Sequence, residues 1–344
     1  MNRILADVLA AVLSFGVTAA LGFVVIPWLH KLKFGQKILE IGPAWHKKKE
    51  GTPTMGGILF IAGTLAAVIV VIITDKLAGG DLLAGDTSVS LKMLENRSKI
   101  IAGMLMAVGF GLIGFADDYV KIVKKRNLGL TIPQKTVAQI LVTAAYLVSL
   151  YLSMDRKPYM FIPFVGNVEM GIVFWIFGAC VIYAAINAVN FTDGIDGLCG
   201  SVTLTVAAAF LVIAAMRSLF GVSMVSAALL GGCAGFLVWN HYPAKVFMGD
   251  TGSMFLGGMV VALAYAVGCP LILLPVGIIY VIEGASDVIQ IGYFKLTHGK
   301  RIFKMAPIHH HFELSGWSEK KIVTVFSLVN LIGCAVGILL MRFD

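Results

Sequence analysis

Charged residues are scarce in this sequence. Only 13% of its 344 positions are Asp, Glu, Lys or Arg, and 58% are hydrophobic; soluble proteins carry about 25% charged residues. No soluble core of this length hides so much apolar surface, and the mean hydropathy of +0.90 implies a chain solvated largely by lipid. Cysteine is sparse too. Cys180, Cys199, Cys233, Cys269 and Cys334 lie in or beside apolar runs with no CxxC pair, which argues against a disulfide framework and reads them as small core residues. No polar stretch is long enough to fold outside the bilayer. The net charge of +8 is therefore not a nucleic-acid footprint, which needs basic and aromatic residues clustered on a folded domain. No strong internal repeat or low-complexity tract is visible.

Long apolar runs are abundant. Spans are expected near 5–29, 56–74, 99–116, 134–153, 170–189, 199–216, 222–239, 254–268, 271–293 and 321–341, since about 20 apolar residues cross a bilayer. The expected fold is all-α: one polytopic transmembrane domain over 1–344 with ten transmembrane helices. The first run, Ile4 to Trp28, is too long for a signal-peptide core and lacks an Ala-x-Ala end, so it reads as a retained helix. Ten spans put both termini on one side. The loops at about 30–55, 117–133, 190–198, 240–253 and 294–320, with Lys135 and Lys321, carry 18 of the 27 basic residues. Positive-inside bias makes these loops cytoplasmic and both termini extracytoplasmic. On the other side, Pro158 to Gly166 reads as a short hairpin or interfacial loop.

Carboxylates at the ends of apolar spans tend to face polar cavities, because a charge within the bilayer is costly. Asp117 and Asp118 close the third span, Asp193 and Asp196 follow the fifth in Asn190-Phe-Thr-Asp-Gly-Ile-Asp-Gly197, and Asp250 follows the seventh in Phe247-Met-Gly-Asp-Thr-Gly-Ser253. All five fall on the expected cytoplasmic face. Adjacent Asp117 and Asp118 cannot both stay ionised cheaply without a cation or strong donors. Mg²⁺ suits a few carboxylates plus phosphate oxygens, and Lys121 falls one helical turn from Asp118 if the helix continues. Acid, metal and lysine together suit phosphoryl transfer, which is chiefly positioning and charge neutralisation. The plainer alternative is an interfacial cap with snorkelling lysines. The two glycine-rich acidic loops can present amide N–H groups to phosphate, although either alone would serve as a turn between helices. Two of them on the face of Asp117 and Asp118 favour the functional reading.

In Pro307-Ile-His-His-His-Phe-Glu313, neighbouring histidines on an extended chain would point to alternate faces, which disfavours one zinc ion and leaves phosphate contact or acid–base help. Glu283-Gly284 and Asp287 interrupt the ninth span, as a broken helix or as a charged stretch bending toward the cytoplasmic cavity. Before the second span, Thr52-Pro-Thr54 followed by Gly56-Gly57 makes a fixed turn into a helix N-terminus, a natural anion site, with Lys47 to Lys49 alternatively serving as lipid anchors. An ion-coupled transporter would place its acids near span centres within inverted repeats, and here most lie at one face.

Gly51-Thr-Pro-Thr-Met-Gly-Gly57, Phe115-Ala-Asp-Asp-Tyr119, Asn190 to Leu198, Phe247 to Ser253 and Pro307 to Glu313, in this order, resemble the phospho-N-acetylmuramoyl-pentapeptide-transferase family. That family lies within the polyprenyl-phosphate hexosamine-1-phosphate transferases. The Pro-Ile-His-His-His-Phe-Glu segment looks like the muramoyl-pentapeptide branch and speaks against a UDP-GlcNAc donor. The resemblance implies a bacterial inner-membrane enzyme, usually a homodimer, whose site opens to the cytoplasm. With Mg²⁺ it would pass phospho-MurNAc-pentapeptide from UDP-MurNAc-pentapeptide to undecaprenyl phosphate, forming lipid I and UMP in peptidoglycan synthesis. Carried over by position, Asp250 is a Mg²⁺ ligand, and Asp117 and Asp118 are the acidic pair beside metal and lipid phosphate, with Asp117 the candidate base. Asn190, Asp193 and Asp196 would line the nucleotide and diphosphate region, Phe247 would stack on uracil, and His309 and His310 would lie near donor phosphates. Lys49, Thr54 and Lys121 complete the expected substrate contacts. The acceptor would enter sideways from lipid around the ninth span, and either it attacks directly or an aspartyl-phosphate forms first.

Overall fold

The computed structural model describes residues 2–32, 49, 51–84, 89–124 and 128–342. Lys47, Lys48, Lys125 and Arg126, counted above in the cytoplasmic loops, lie outside the described residues. The chain is helical nearly throughout. In order come α1 (Arg3–Lys31), α2 (Gly57–Leu77), α3 (Ser90–Val123), α4 (Ile132–Ser153), β1 (Tyr159–Ile162), β2 (Gly166–Glu169), α5 (Val173–Thr192), α6 (Leu198–Met216), α7 (Phe220–Asn240), α8 (Gly249–Ala266), α9 (Leu273–Val276), α10 (Ile278–Leu296), α11 (Ile308–Glu313) and α12 (Glu319–Leu340).

Local sequence sets the helix ends. Asn2 caps α1, and Ser318 accepts from the Lys321 N–H to cap α12. Thr131 and Gln134 form a reciprocal capping box at α4 with Pro133 in the first turn, where a proline's missing N–H is harmless. Among the described residues, eight helices are long and apolar enough to cross a membrane, or up to nine if a bent pair counts as one span. Nine of the ten expected spans thus have a counterpart by length and composition. The remaining one, 254–268, falls on α8, which opens with the polar Gly249-Asp-Thr-Gly-Ser253 and is buried from Thr251 to Ala266. It forms the centre of the bundle, wrapped by α3, α5, α2 and α6. Small residues permit that closeness: a methyl on Gly57 would strike the Gly252 backbone, and one on Gly114 the Asp250 carbonyl.

The bent pair is Pro270–Val276 with Ile278–Leu296, at 88°. The segment expected as the ninth span is therefore bent at Gly277, whereas Glu283, Gly284 and Asp287 lie within continuous α10 as a charged stretch and do not break it. Pro275 and Gly277 are the physical cause, since neither favours a helix interior. The 158–166 segment does form a hairpin, β1 pairing antiparallel with β2 from Tyr159↔Glu169 to Ile162↔Gly166. Tyr159 donates to Glu95 Oε1 at 2.6 Å, and Lys99 pairs with the same carboxylate at 2.6 Å, fastening the hairpin to α3.

Arg3 donates to the Ala215 carbonyl at the C-terminal end of α6, whereas Glu319, at the start of α12, accepts from the Asp196 N–H just ahead of α6. The start of α1 and the end of α12 therefore lie at the end of the bundle opposite Asp196.

Candidate active site

The acidic site is built where α3 ends and α8 begins. Residues Asp117, Asp118 and Lys121 sit on the last turns of α3, which continues to Val123, so the expected helical-turn spacing holds. Asp250 lies in the first turn of α8, after a chain reversal at Gly249 with φ +70°. A side chain there would be strained and would also press on Asp118 Oδ2 and Thr54 Oγ1, at 2.5 and 2.7 Å from its Cβ. The loops before α2 and α8 are zipped together: Phe247 N–H donates to the Pro53 carbonyl (2.9 Å), Gly56 N–H to the Phe247 carbonyl (2.8 Å) and Gly57 N–H to the Met248 carbonyl (3.0 Å). Thr54 and Phe247 are thereby fixed beside Asp250.

One carboxylate oxygen each from Asp117, Asp118 and Asp250 lies within 4.8 Å of the others. At their centre stands the Lys121 ammonium, 2.6 Å from Asp117 Oδ2, 3.2 Å from Asp250 Oδ2 and 3.7 Å from Asp118 Oδ1. Lys135 of α4 reaches Asp250 Oδ2 at 2.9 Å. Each carboxylate is also oriented from behind. Asp118 Oδ2 accepts from the Thr251 N–H (2.9 Å) and hydroxyl (2.7 Å), Asp117 Oδ1 from the Leu130 N–H (2.8 Å), and Asp250 Oδ1 from Asn190 Nδ2 (3.0 Å). Asn190 donates to Ser253 as well, at 2.7 Å. Three hard oxygen donors converging on one point, with that point already taken by a cation, fit a divalent ion such as Mg²⁺. The set contains no thiolate or imidazole that would favour zinc.

Two satellite clusters adjoin this centre through the loop 190–197. In one, Lys49 lies 2.7 Å from Asp196 Oδ1 and 2.6 Å from Glu319 Oε2, while Asp196 Oδ2 accepts from the Ala244 N–H at 2.9 Å. Asp196 and Lys49 are therefore in a tie between loops, apart from the acidic triad. In the other, fully buried His309 meets Glu283 through Nδ1 at 3.0 Å, and its Nε2 has no hydrogen-bond partner among the described residues. That nitrogen faces Gly194, where a methyl would collide with it. His310 pairs with Glu313 at 2.7 Å. The histidines occupy a short helix, α11, instead of the extended chain expected, so they fan around an axis, and His311 instead accepts from the Lys304 N–H. Asp193, at the end of α5, lies between the clusters. Desolvation first, and then the charges of Asp250, Asp118 and Asp196, push its carboxyl well above the usual range.

Sequence reading missed Lys135, Thr251, Ser253 and Glu319 as members of these clusters. Lys135 looks like a flanking basic residue, and Glu319, directly after the N-cap Ser318, looks like an ordinary first-turn acid. Only the fold brings each to its partner.

Comparison with known proteins identifies the family. The glycosyl transferase family 4 model matches residues 100–268, which include the triad and Asn190. The phospho-N-acetylmuramoyl-pentapeptide-transferase signature 1 matches residues 49–61, which include Lys49 and Thr54. The phospho-N-acetylmuramoyl-pentapeptide-transferase of Acetivibrio thermocellus is 46% identical over 335 residues, covering 96% of this chain and 94% of that one. The chain belongs to the phospho-N-acetylmuramoyl-pentapeptide-transferase family. Proteins of the same name from Desulforamulus reducens and Desulforudis audaxviator are 41% and 43% identical, over 96% of this chain and 94% and 96% of theirs. With eight or nine candidate spans among the described residues, the chain is a multi-pass membrane protein, and the name its relatives carry fits an acidic, lysine-lined site better than a transport path.

Proposed function

We propose that this enzyme transfers phospho-MurNAc-pentapeptide from UDP-MurNAc-pentapeptide to undecaprenyl phosphate, giving lipid I and UMP, with Mg²⁺, at the cytoplasmic face of the bacterial inner membrane. The observation that carries this reading is the convergence of Asp117, Asp118 and Asp250 on the Lys121 ammonium, in a chain of this family. A diphosphate donor and a lipid phosphate repel each other, so the main barrier to remove is electrostatic. Bound Mg²⁺ would neutralise phosphate charge and polarise the reacting phosphoryl group, held by Asp250 with Asp117 and Asp118. Lys121 and Lys135, which pair with the same carboxylates, are the cations placed to meet phosphate oxygens. Asn190 and Thr251 keep the carboxylates aimed throughout.

Lys49, Thr54, Asn190, Asp193, Asp196, Phe247, His309 and His310 surround the donor in this reading, with Phe247 under the uracil and the histidines at the diphosphate. The acceptor phosphate is already largely ionised near neutral pH and needs little base catalysis. Direct attack is therefore the adopted route, and isolation of an aspartyl-phosphate after donor-only incubation would overturn it. Positive-inside bias puts the site in the cytoplasm, and the start of α1 and the end of α12, at the opposite pole of the bundle, then become extracytoplasmic. Ten crossings with α8 as the buried eighth, and a homodimer, belong to the same proposal.

The test is UMP release from UDP-MurNAc-pentapeptide by purified protein with undecaprenyl phosphate, with and without Mg²⁺, beside Asp250→Asn. Release that needs metal and lipid and disappears in the variant is the expected result. Turnover of UDP-GlcNAc alone would move the enzyme to a sister branch, and release without the lipid would refute the transfer.

A further inference from the structure

The break at Gly277 leaves backbone groups without helical partners in the middle of the bundle, where no water replaces them. Two side chains of α12 meet them: Cys334 Sγ donates to the Val276 carbonyl at 3.5 Å, and Asn330 alone of the two reaches both sides of the break. Asn330, fully buried, donates through Nδ2 to the Val276 carbonyl at 3.0 Å and accepts through Oδ1 from the Ile279 N–H at 3.3 Å, bridging the two sides of the 88° elbow. Its Nδ2 also donates to Thr205 Oγ1 of α6 at 2.8 Å, anchoring the bridge to a second helix. Around it α12 is kept flat: a methyl on Gly333 would strike the Pro275 carbonyl, and one on Gly337 the Val276 side chain.

What hangs from the elbow is the histidine side of the site. Beyond Gly277, α10 carries Glu283, which holds His309. It also carries Gln290, whose Nε2 donates to the Phe303 carbonyl at 2.9 Å and whose Oε1 accepts from the Ile302 and Phe303 N–H groups at 3.1 Å each. At 1.5 Å rise per residue, Glu283 lies about 9 Å and Gln290 about 20 Å along the helix from the elbow. A swing of about 5° therefore displaces them by roughly 0.8 and 1.7 Å, enough to break bonds of these lengths.

We propose that Asn330 is a positioning residue: by bridging the broken backbone it fixes the direction in which α10 leaves the elbow, and through Glu283 and Gln290 it sets the placement of His309 and the 301–304 loop. Its effect on turnover rests on the function proposed above, whereas its effect on the 301–313 segment does not. Asn330 touches no residue of that segment in the described structure, but Phe326 one turn earlier on α12 meets Phe312 with ring centroids 5.7 Å apart, so the response that reports transmission along α10 is the one at 301–304, which Gln290 holds.

The experiment is hydrogen exchange on the full-length protein in nanodiscs, comparing wild type with Asn330→Leu, Asn330→Asp and Gly333→Ala, alongside UMP-release kinetics. Asn330→Leu and Gly333→Ala are expected to speed exchange across 301–304 by roughly tenfold, the order for one lost buried hydrogen bond, with the α1 and α7 segments unchanged. Asn330→Asp, which keeps the acceptor for the Ile279 N–H, should fall between. Turnover of the donor should drop by roughly tenfold or more in Asn330→Leu, since displacements near 1 Å cost up to about 10²-fold. Unchanged exchange over 301–304 in a folded Asn330→Leu overturns the proposal, whatever its activity. If that variant does not fold, the other two decide by the same readout. A 301–304 response in protein that releases no UMP, wild type included, supports the elbow's role and refutes the proposed function instead.

Discussion

Adding one methyl group at Gly114 should damage catalysis far more than stability. Gly114 lies on α3 where it crosses the first turn of α8, and a Cβ there would sit 2.7 Å from Thr251 N and closer still to the Asp250 carbonyl oxygen. Ordinary contact begins at 3.4 Å, so the α8 backbone must retreat by at least about 0.7 Å. Backbone cannot rotate aside as the end of a long side chain can. The retreat pulls on the Thr251 N–H and Asp250 N–H bonds to Asp118, now 2.9 and 3.2 Å, and carries Asp250 away from Asp117 and Lys121. Overpacking of this kind costs about 1–3 kcal/mol of stability, whereas misplacing reacting groups by about 1 Å costs up to roughly 10²-fold in rate. The assay is UMP release by Gly114→Ala beside Gly109→Ala, with thermal unfolding of both in detergent. Gly109 is on the same helix, but its added methyl would meet only the Val142 side chain at 3.2 Å, which can yield. A Gly114→Ala enzyme within about threefold of the Gly109→Ala rate would refute the argument that the α3–α8 approach sets the triad, since a shifted triad should cost far more.

Asp193 offers a test by pH. Because the folded protein holds this proton more tightly than the unfolded chain does, stability is drawn down as pH rises above the ordinary carboxyl range, near 3.8, toward the raised value. In metal-free protein, Asp193→Asn should therefore melt higher than wild type at neutral pH, and the gain should fade as pH falls toward 4; an equal gain at both pH values would contradict the origin assigned to it. Glu319→Gln leaves Lys49 with Asp196 alone and weakens the acceptor for the Asp196 N–H. Its expected cost is about 1–3 kcal/mol, visible as a lower melting temperature, and an unchanged melting curve would show the tie to be energetically idle.

Much of the site was legible before the fold. Asp117, Asp118 and Lys121 needed only helical spacing, and Asp250 needed only its glycine-rich context at the end of an apolar run. What spacing cannot convey is which charges meet across the bundle. Lys135 and Lys121 reach Asp250 from different helices, and Asp196 turns to Lys49 and Glu319 because α12 starts beside it. The position of the elbow escapes a reading of the sequence because charge in an apolar run is a conspicuous sign of interruption, while Pro275 and Gly277 act through backbone geometry. Fully buried Glu283 is held within a continuous helix by His309, which meets its Oε2. The histidine run was misjudged for a related reason: six residues are too few for periodicity to separate a helical turn from a loop.

The lysine at the centre of the acidic triad also bears on how such a site is assembled. Three carboxylates gathered at the edge of a membrane would resist the approach of α3 and α8 if nothing balanced them. Lys121 arrives on the same helix as two of them and Lys135 one helix later, so the nascent chain brings its own counterions. The charges that must meet across α3, α4 and α8 are thus balanced within the chain itself, and each helix that brings a carboxylate to the cluster is met there by a lysine.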